Sequence, residues 1–139
     1  MGTRNSVDDV LYTAKNATNF KGKECGNGLV IRHEYGWETQ YCHMKKGSVQ
    51  VKTGEIFEAG RVLGQIGLSG HTQFPHVHLS VRKDGKMVDP FDPDGNITCG
   101  EPDEDALWNE PLPYRADAVL YAAFADHVAA FGDVKSGRD

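Results

Sequence analysis

Short apolar runs separated by glycine and turn residues fill the middle of the chain, and they constrain its fold more than any other feature. Runs of β-branched and apolar residues bounded in this way are typical of strands, and their close succession indicates an all-β domain. The predicted strands span residues 29–31, 49–51, 61–67, 77–82 and 86–88.

Two β-hairpins are predicted from the turn residues between these runs. The first joins residues 29–33 to residues 38–44, and the second turns at Lys83-Asp84-Gly85, where Asp-Gly is a strong short-turn signal. Cys25 and Cys42 flank the first hairpin, so a disulfide between them is possible. Such a disulfide would leave Cys99 unpaired. The alternative is that all three thiols are free.

A His-x-His pattern lies in the run at residues 75–79, as Pro-His-Val-His-Leu. Successive side chains of a strand point to opposite faces, so His76 and His78 are expected on one face and Val77 on the other. Imidazole is a preferred ligand of zinc, but two histidines leave a tetrahedral ion short of protein ligands. The pattern therefore predicts part of a metal site, or simply two histidines on a wet strand face.

Composition excludes several classes of function. With 15 basic and 20 acidic residues the formal net charge is −5, and no cluster of Lys or Arg is long enough to follow a phosphate backbone. No apolar run approaches the roughly 20 residues that span a bilayer, and residues 1–9 lack the apolar segment of a signal peptide. We expect no nucleic-acid partner and no membrane span, and either a cytosolic location or the loss of an export signal.

Beyond Pro90 the character of the sequence changes, which indicates a boundary. Residues 92–96 have turn chemistry, and residues 101–110 are acidic, with prolines at 102, 111 and 113. Residues 116–130 place apolar side chains near helical spacing, although a strand is also possible there. We expect residues 1–92 to form one domain and residues 93–139 to be a linker with an irregular or helical C-terminal extension, which can also be the start of another module. His127 is expected to be an ordinary surface or packing histidine.

A series of motifs, taken in order, resembles the catalytic core of the M23 (lysostaphin/LytM-like) zinc metallopeptidases. The motifs are Gly-Trp-Glu-Thr-Gln-Tyr-Cys-His-Met at 36–44, the glycine-rich segment 47–67, Ser-Gly at 69–70, Pro-His-Val-His at 75–78 and Val-Asp-Pro at 88–90. The resemblance implies an antiparallel sheet with an open groove, a zinc cofactor and cleavage of peptidoglycan peptides. It also implies action in the periplasm or outside the cell.

The same resemblance assigns roles to individual histidines. His43, in Tyr-Cys-His, and His76 correspond to catalytic histidines, and His78 corresponds to a zinc ligand. The family takes its other two ligands from an upstream His-x-x-x-Asp, but no histidine precedes His33 in this chain. Neither Asp8 nor Asp9 follows a histidine at that spacing, so we expect weak zinc binding.

Further residues are candidates for the substrate groove. Strand alternation would place Trp37, Tyr41 and His43 on one face as an aromatic wall, with the Cys42 side chain pointing away from them. His71 follows Ser-Gly in a loop near the groove and is a candidate substrate contact, or else a solvated loop residue. His33 ends a predicted strand, where we expect a structural role.

Three functions remain open from the sequence. The first is an M23 peptidase represented here by a fragment that lacks its upstream ligand segment. The second is a non-catalytic member of the same fold that binds wall peptides or activates a partner hydrolase. The third, of another class, is a histidine phosphocarrier-like domain. The Pro-His-x-His context of His76 and His78 favours the first over the third.

Overall fold

The computed structural model describes residues 2–96 and 104–109, and its central feature is one five-stranded sheet. All neighbouring strands pair antiparallel, and their spatial order follows their order in the chain. The strands are β1 (Gly2–Arg4), β2 (Asn27–Arg32), β3 (Trp37–Met44), β4 (His78–Lys83) and β5 (Lys86–Val88). Two short 3₁₀ segments, Ala14–Phe20 and Glu34–Gly36, complete the regular structure of the described residues. The predicted all-β, antiparallel fold is confirmed.

Both predicted hairpins form, because their turns contain residues that accept a left-handed backbone. Between β2 and β3 the left-handed residues are Tyr35 and Gly36, with φ of 57° and 79°. Between β4 and β5 they are Asp84 and Gly85, with φ of 51° and 79°, as a type I′ turn requires.

The hydrophobic core lies on one face of the sheet. Leu29, Met44 and Val51 are its buried centre, and five partly buried side chains pack against them: Ile31, Tyr41, Val49, Phe57 and Leu63. Several of these side chains come from residues 45–67, a long excursion between β3 and the residues that lead to β4. This excursion covers the core face and leaves the opposite face of β3 and β4 available for a groove.

The strands predicted at residues 49–51 and 61–67 do not form ladders, and this expectation is corrected. The two segments do approach each other, since the Gln50 N–H donates to the Leu63 carbonyl at 2.9 Å. Between them and β3 there is only an isolated bridge from Met44 to Ile66. At Gln65 the N–H is taken by the Ser48 hydroxyl at 3.0 Å, so a side chain replaces the backbone partner that a continuous ladder would need.

A disulfide joins Cys25 to Cys42, with the two Cα atoms 4.8 Å apart. It fastens the segment before β2 to β3, at a sequence separation of 17 residues. Closing a loop of about 15 residues stabilises a fold by about 3 kcal/mol in the chain-entropy description. Of the two alternatives left open by the sequence, the structure therefore selects the disulfide.

The C-terminal predictions fall mainly on residues that the structure does not describe. The helix predicted at residues 116–130, His127 and Cys99 all lie outside the described ranges. Within the described residues, Trp108 contacts Phe91 with ring centroids 5.3 Å apart. No helix in residues 2–96 and 104–109 is long and apolar enough to cross a membrane.

Candidate metal centre

Three histidines from two separate parts of the chain meet in one cluster. Each of His43, His76 and His78 offers a ring nitrogen, and these nitrogens all lie within 4.8 Å of one another. The His43 ring centroid is 4.9 Å from that of His76 and 5.6 Å from that of His78. The structure thus brings together the three histidines that the sequence motifs single out.

The backbone at the end of β3 explains how His43 reaches this cluster. Cys42 pairs directly with His78 in the β3–β4 register, so these two side chains share a sheet face. His43 has a left-handed φ of 63°, which interrupts the alternation of faces along the strand. Cys42 and His43 consequently line the same groove, although strict alternation would have separated them.

The structure does not form the aromatic wall expected from Trp37, Tyr41 and His43, because the kink at His43 turns its side chain away from the face of the other two. Tyr41 pairs with Leu79, which faces away from His78, and its ring packs against the hydrophobic core. Trp37 is four positions from Tyr41 on β3, so the two side chains point to the same face. It lies at the end of the strand away from His43, with the Lys83 ammonium 5.7 Å from its ring. Neither side chain is therefore beside the histidine cluster.

His43 is the most enclosed member of the cluster, with 4% of its surface exposed. Its Nδ1 lies 2.9 Å from the Ser69 carbonyl oxygen. A carbonyl only accepts, so Nδ1 carries the proton and Nε2 keeps its lone pair in the neutral ring. Burial lowers the pKa of His43, the neighbouring charges of His76 and His78 lower it further, and the Ser69 hydrogen bond opposes this shift.

His76 is held by the loop that precedes β4. Its Nδ1 donates to the Phe74 carbonyl at 2.9 Å, which again leaves Nε2 as the nitrogen with a lone pair. The Phe74 ring stacks on the imidazole with centroids 4.5 Å apart. The buried Thr72 hydroxyl donates to the same carbonyl at 2.7 Å and so fixes the turn that positions the ring.

A buried polar network supports the carbonyl that His43 uses. Asn27 and Ser69 are both fully buried, at 0% exposure. The Ser69 hydroxyl donates to the Met44 carbonyl at 2.6 Å and accepts the Asn27 N–H at 2.8 Å. The Asn27 side chain bonds both backbone groups of Val7 at 2.7 Å, and its amide also donates to Met44. Because unpaired buried polar groups are costly, this network fixes Ser69 relative to the end of β3.

Two glycines allow the loop that carries Ser69 to approach the segment before β2. Gly26 has a φ of +67°, and a Cβ there would lie 2.3 Å from the Ser69 carbonyl carbon and oxygen. Gly70 has a φ of +86°, and a Cβ there would lie 2.4 Å from the Glu24 carbonyl oxygen. Larger residues would push this loop, and with it the His43 hydrogen-bond acceptor, out of place.

The cluster opens into a groove of about 350 Å³ on the face opposite the core. His71 lines it, as expected, with its backbone N–H donating to the Glu24 carbonyl and its ring 3.7 Å from that of Tyr12. The disulfide also lies along this groove. The full lining consists of Glu24, Cys25, Gln40, Cys42, His43, His71, His78, Ser80 and Arg82.

The chemistry of the donor set fits a borderline metal ion. Imidazole nitrogens suit zinc, and His43, His76 and His78 each bring a ring nitrogen within 4.8 Å of the others. The carboxylates near the start of the chain have other partners. Asp9 accepts the N–H groups of Lys46 and Leu68 at 2.8 and 3.0 Å, and Asp8 forms an ion pair with Lys46.

Comparison with known proteins identifies the class. The family model described as "Peptidase family M23" matches residues 9–90, which is more than half of the chain. This chain belongs to peptidase family M23. The family membership agrees with the antiparallel sheet and the histidine groove, and it does not support the phosphocarrier interpretation.

Three relatives indicate the kind of protein in which such a domain occurs. The chain is 35% identical over 83 residues to the "DD-carboxypeptidase/endopeptidase Mpg" of Neisseria meningitidis, covering 58% of this chain and 19% of that protein. It is 33% identical over 69 residues to the "Peptidoglycan DD-endopeptidase ShyB" of Vibrio cholerae, covering 50% and 16%. It is 32% identical over 90 residues to the "Cell division protein DipM" of Caulobacter vibrioides, covering 58% and 14%. The match thus spans less than a fifth of each relative.

Proposed function

We propose that this domain hydrolyses peptide bonds of bacterial peptidoglycan, using the cluster of His43, His76 and His78 and the groove into which it opens. The single observation that carries the proposal is the convergence of these three imidazoles within 4.8 Å in a chain that belongs to family M23. The names of the relatives, two of which are DD-endopeptidases by description, support the choice of substrate.

Each histidine has a distinct proposed role. His78, on β4, would hold a zinc ion, and a bound zinc ion would polarise the scissile carbonyl and acidify a water molecule. His43 and His76 would handle protons at their Nε2 atoms, since Nδ1 of each ring is already engaged with a backbone carbonyl. His43 stays neutral more readily than an ordinary histidine because its burial lowers its pKa, which suits a group that accepts a proton.

The disulfide supports a location outside the cytoplasm. Disulfides persist in oxidising compartments such as the periplasm and the cell exterior, and they are rare in the reducing cytosol. The Cys25–Cys42 bond lies in the groove itself, where a change of redox state would affect the site directly. A periplasmic or extracellular domain that acts on the cell wall is consistent with this bond.

A second candidate function is binding of wall peptides in the same groove without cleavage. The observation behind it is that these 139 residues contain no His-x-x-x-Asp, so the family motifs assign one zinc ligand among them, His78. With His78 as the one assigned ligand, these residues would bind zinc weakly, because zinc sites normally have three or four protein ligands in good geometry.

Zinc titration of the chain by calorimetry tests the metal proposal. We expect weak binding that is lost in His78→Ala and kept in His33→Ala, because His33 lies outside the cluster and bonds the Thr39 hydroxyl instead. Tight stoichiometric binding that survives His78→Ala would contradict this assignment.

Release of peptide fragments from purified peptidoglycan separates the two candidate functions. We expect little or no cleavage by the chain alone, and zinc-dependent cleavage when an N-terminal segment bearing His-x-x-x-Asp is added. If the extended protein binds peptidoglycan but never cleaves it, with or without zinc, the peptidase proposal is wrong and the binding function is favoured.

A further inference from the structure

A row of three charged residues crosses the groove face of the sheet at the end away from the histidines. In the strand registers, Arg32 of β2 pairs with Glu38 of β3, and Glu38 pairs with Arg82 of β4. Side chains directly opposite on neighbouring strands lie on the same face. Arg82 is four positions from His78 on β4, so the two side chains point to the same face of the sheet, and both residues line the groove.

The charges in this row do not cancel. Glu38 is committed to Arg32, whose Nε lies 3.1 Å from the glutamate Oε1. Arg82 forms no ion pair with any residue in the described ranges 2–96 and 104–109. The Arg82 guanidinium thus has no carboxylate partner in the part of the chain that the structure describes. Glu24, the acidic residue that also lines the groove, accepts the Gly22 N–H at 2.8 Å with its own carboxylate.

We propose that Arg82 forms a subsite that binds a free carboxylate of the peptide in the groove. Arginine is suited to this task because its planar fork can donate two parallel hydrogen bonds to one carboxylate. Arg82 is partly buried, and the Ser80 and Gln40 side chains line the groove between it and His78. Partial burial makes such a pair stronger than a fully exposed surface ion pair.

The spacing between Arg82 and His78 sets where this carboxylate would lie. The two residues are four positions apart on a strand, which corresponds to about 13 Å along β4. An extended peptide advances by about 3.4 Å per residue, so the carboxylate lies about four residues from the bond at the histidine cluster. The subsite therefore selects short, acid-terminated or acidic peptides over neutral ones. This inference deepens the proposed peptidase function and rests on it for the identity of the ligand as a wall peptide.

The experiment measures binding without metal or turnover. A short peptide ending in D-Ala-D-Ala with a free carboxylate, and the same peptide with a terminal carboxamide, are titrated into the metal-free chain and followed by NMR. We expect the acid to bind about tenfold more tightly than the amide, which is the effect of about 1.4 kcal/mol from a charge-assisted hydrogen bond.

Three variants locate the effect. Arg82→Gln should remove the preference for the acid, and Arg82→Lys should keep part of it, because lysine retains the charge but lacks the fork. Arg61→Gln is the matched control and should keep the full preference, since Arg61 lines a different surface and lies 3.9 Å from Glu55. An amide NMR spectrum like that of the unaltered chain establishes that each variant is folded.

Several results would overturn the subsite: equal binding of acid and amide, no binding of either peptide, or a preference that persists in Arg82→Gln. The outcome is independent of cleavage. A chain that prefers the acid through Arg82 but never hydrolyses peptidoglycan, even when extended, would uphold the subsite and refute the proposed peptidase function.

Discussion

At the scale of single residues, His43 combines burial, a left-handed backbone and a fixed hydrogen bond to Ser69. Its low exposure of 4% disfavours the charged ring, which is the main cause of its lowered pKa. In the unfolded chain the ring is in water and this cost of burial is absent. His43 therefore binds a proton more readily in the unfolded state than in the folded one. The contribution of the neutral His43 ring to the free energy of unfolding is therefore fully present above the histidine pKa of the unfolded chain, about 6.5. It declines as the pH falls toward the lower pKa of His43 in the folded state.

The first prediction concerns this pH dependence. The stability difference between the unaltered chain and His43→Gln should shrink between about pH 7.5 and about pH 5.5, because glutamine carries no titrating ring. Urea unfolding of both proteins at the two pH values measures it. A difference that is the same at both would contradict the burial argument.

The second prediction concerns Ser69, whose carbonyl oxygen accepts the hydrogen bond from His43 Nδ1. Ser69→Ala leaves the buried Asn27 N–H without this acceptor, whereas the Met44 carbonyl keeps the hydrogen bond from the Asn27 side chain. We expect a loss of about 1–3 kcal/mol in the free energy of unfolding, which is the cost of one unsatisfied buried group. Ser6→Ala, at an exposed position, is the control and should change stability by less than about 0.5 kcal/mol. Equal effects of the two substitutions would show that the network does not stabilise the fold.

At the scale of elements, the sequence predicts what local chemistry determines. The turns at Tyr35-Gly36 and Asp84-Gly85 place left-handed residues next to each other, so both hairpins follow from the pattern. Strand β1 was not predicted, because its pairing of Gly2 with Val30 is non-local and leaves no periodic signal in three residues. Residues 61–67 looked like a strand because apolar residues alternate with glycine, but their partners are partly side chains, as at Ser48.

The third prediction tests the disulfide that joins two of these elements. Reduction of Cys25–Cys42 should lower the free energy of unfolding by about 3 kcal/mol, because the segment before β2 is released from β3. Unfolding in the presence and absence of a thiol reductant measures it. The doubly substituted Cys25→Ser, Cys42→Ser chain is the control and should be insensitive to reductant. If reductant does not alter the unaltered chain, the bond contributes nothing to its stability.

At the scale of the whole molecule, the groove exists because the long excursion of residues 45–67 covers only one face of the sheet. Family motifs predicted which histidines meet, and the structure brings those three together. The pattern of alternation failed at His43, since nothing in the strand sequence signals its φ of 63°. The supporting residues Asn27 and Ser69 and the unpaired Arg82 were also missed. Their roles depend on contacts between segments about 20 to 40 residues apart, which periodicity does not encode.

The central claim is that the three histidines form a zinc-dependent peptidase site with separate roles. Metal content and peptidoglycan cleavage, measured for His76→Ala and His78→Ala in the chain extended by a His-x-x-x-Asp segment, test it most directly. We predict that His76→Ala keeps its zinc but loses about 10²–10⁴-fold in rate, as removal of a proton-transfer group does. His78→Ala should lose both zinc and activity, because a ligand to the metal is gone. If instead His76→Ala released the zinc while His78→Ala kept it, the assignment of these two residues would be wrong.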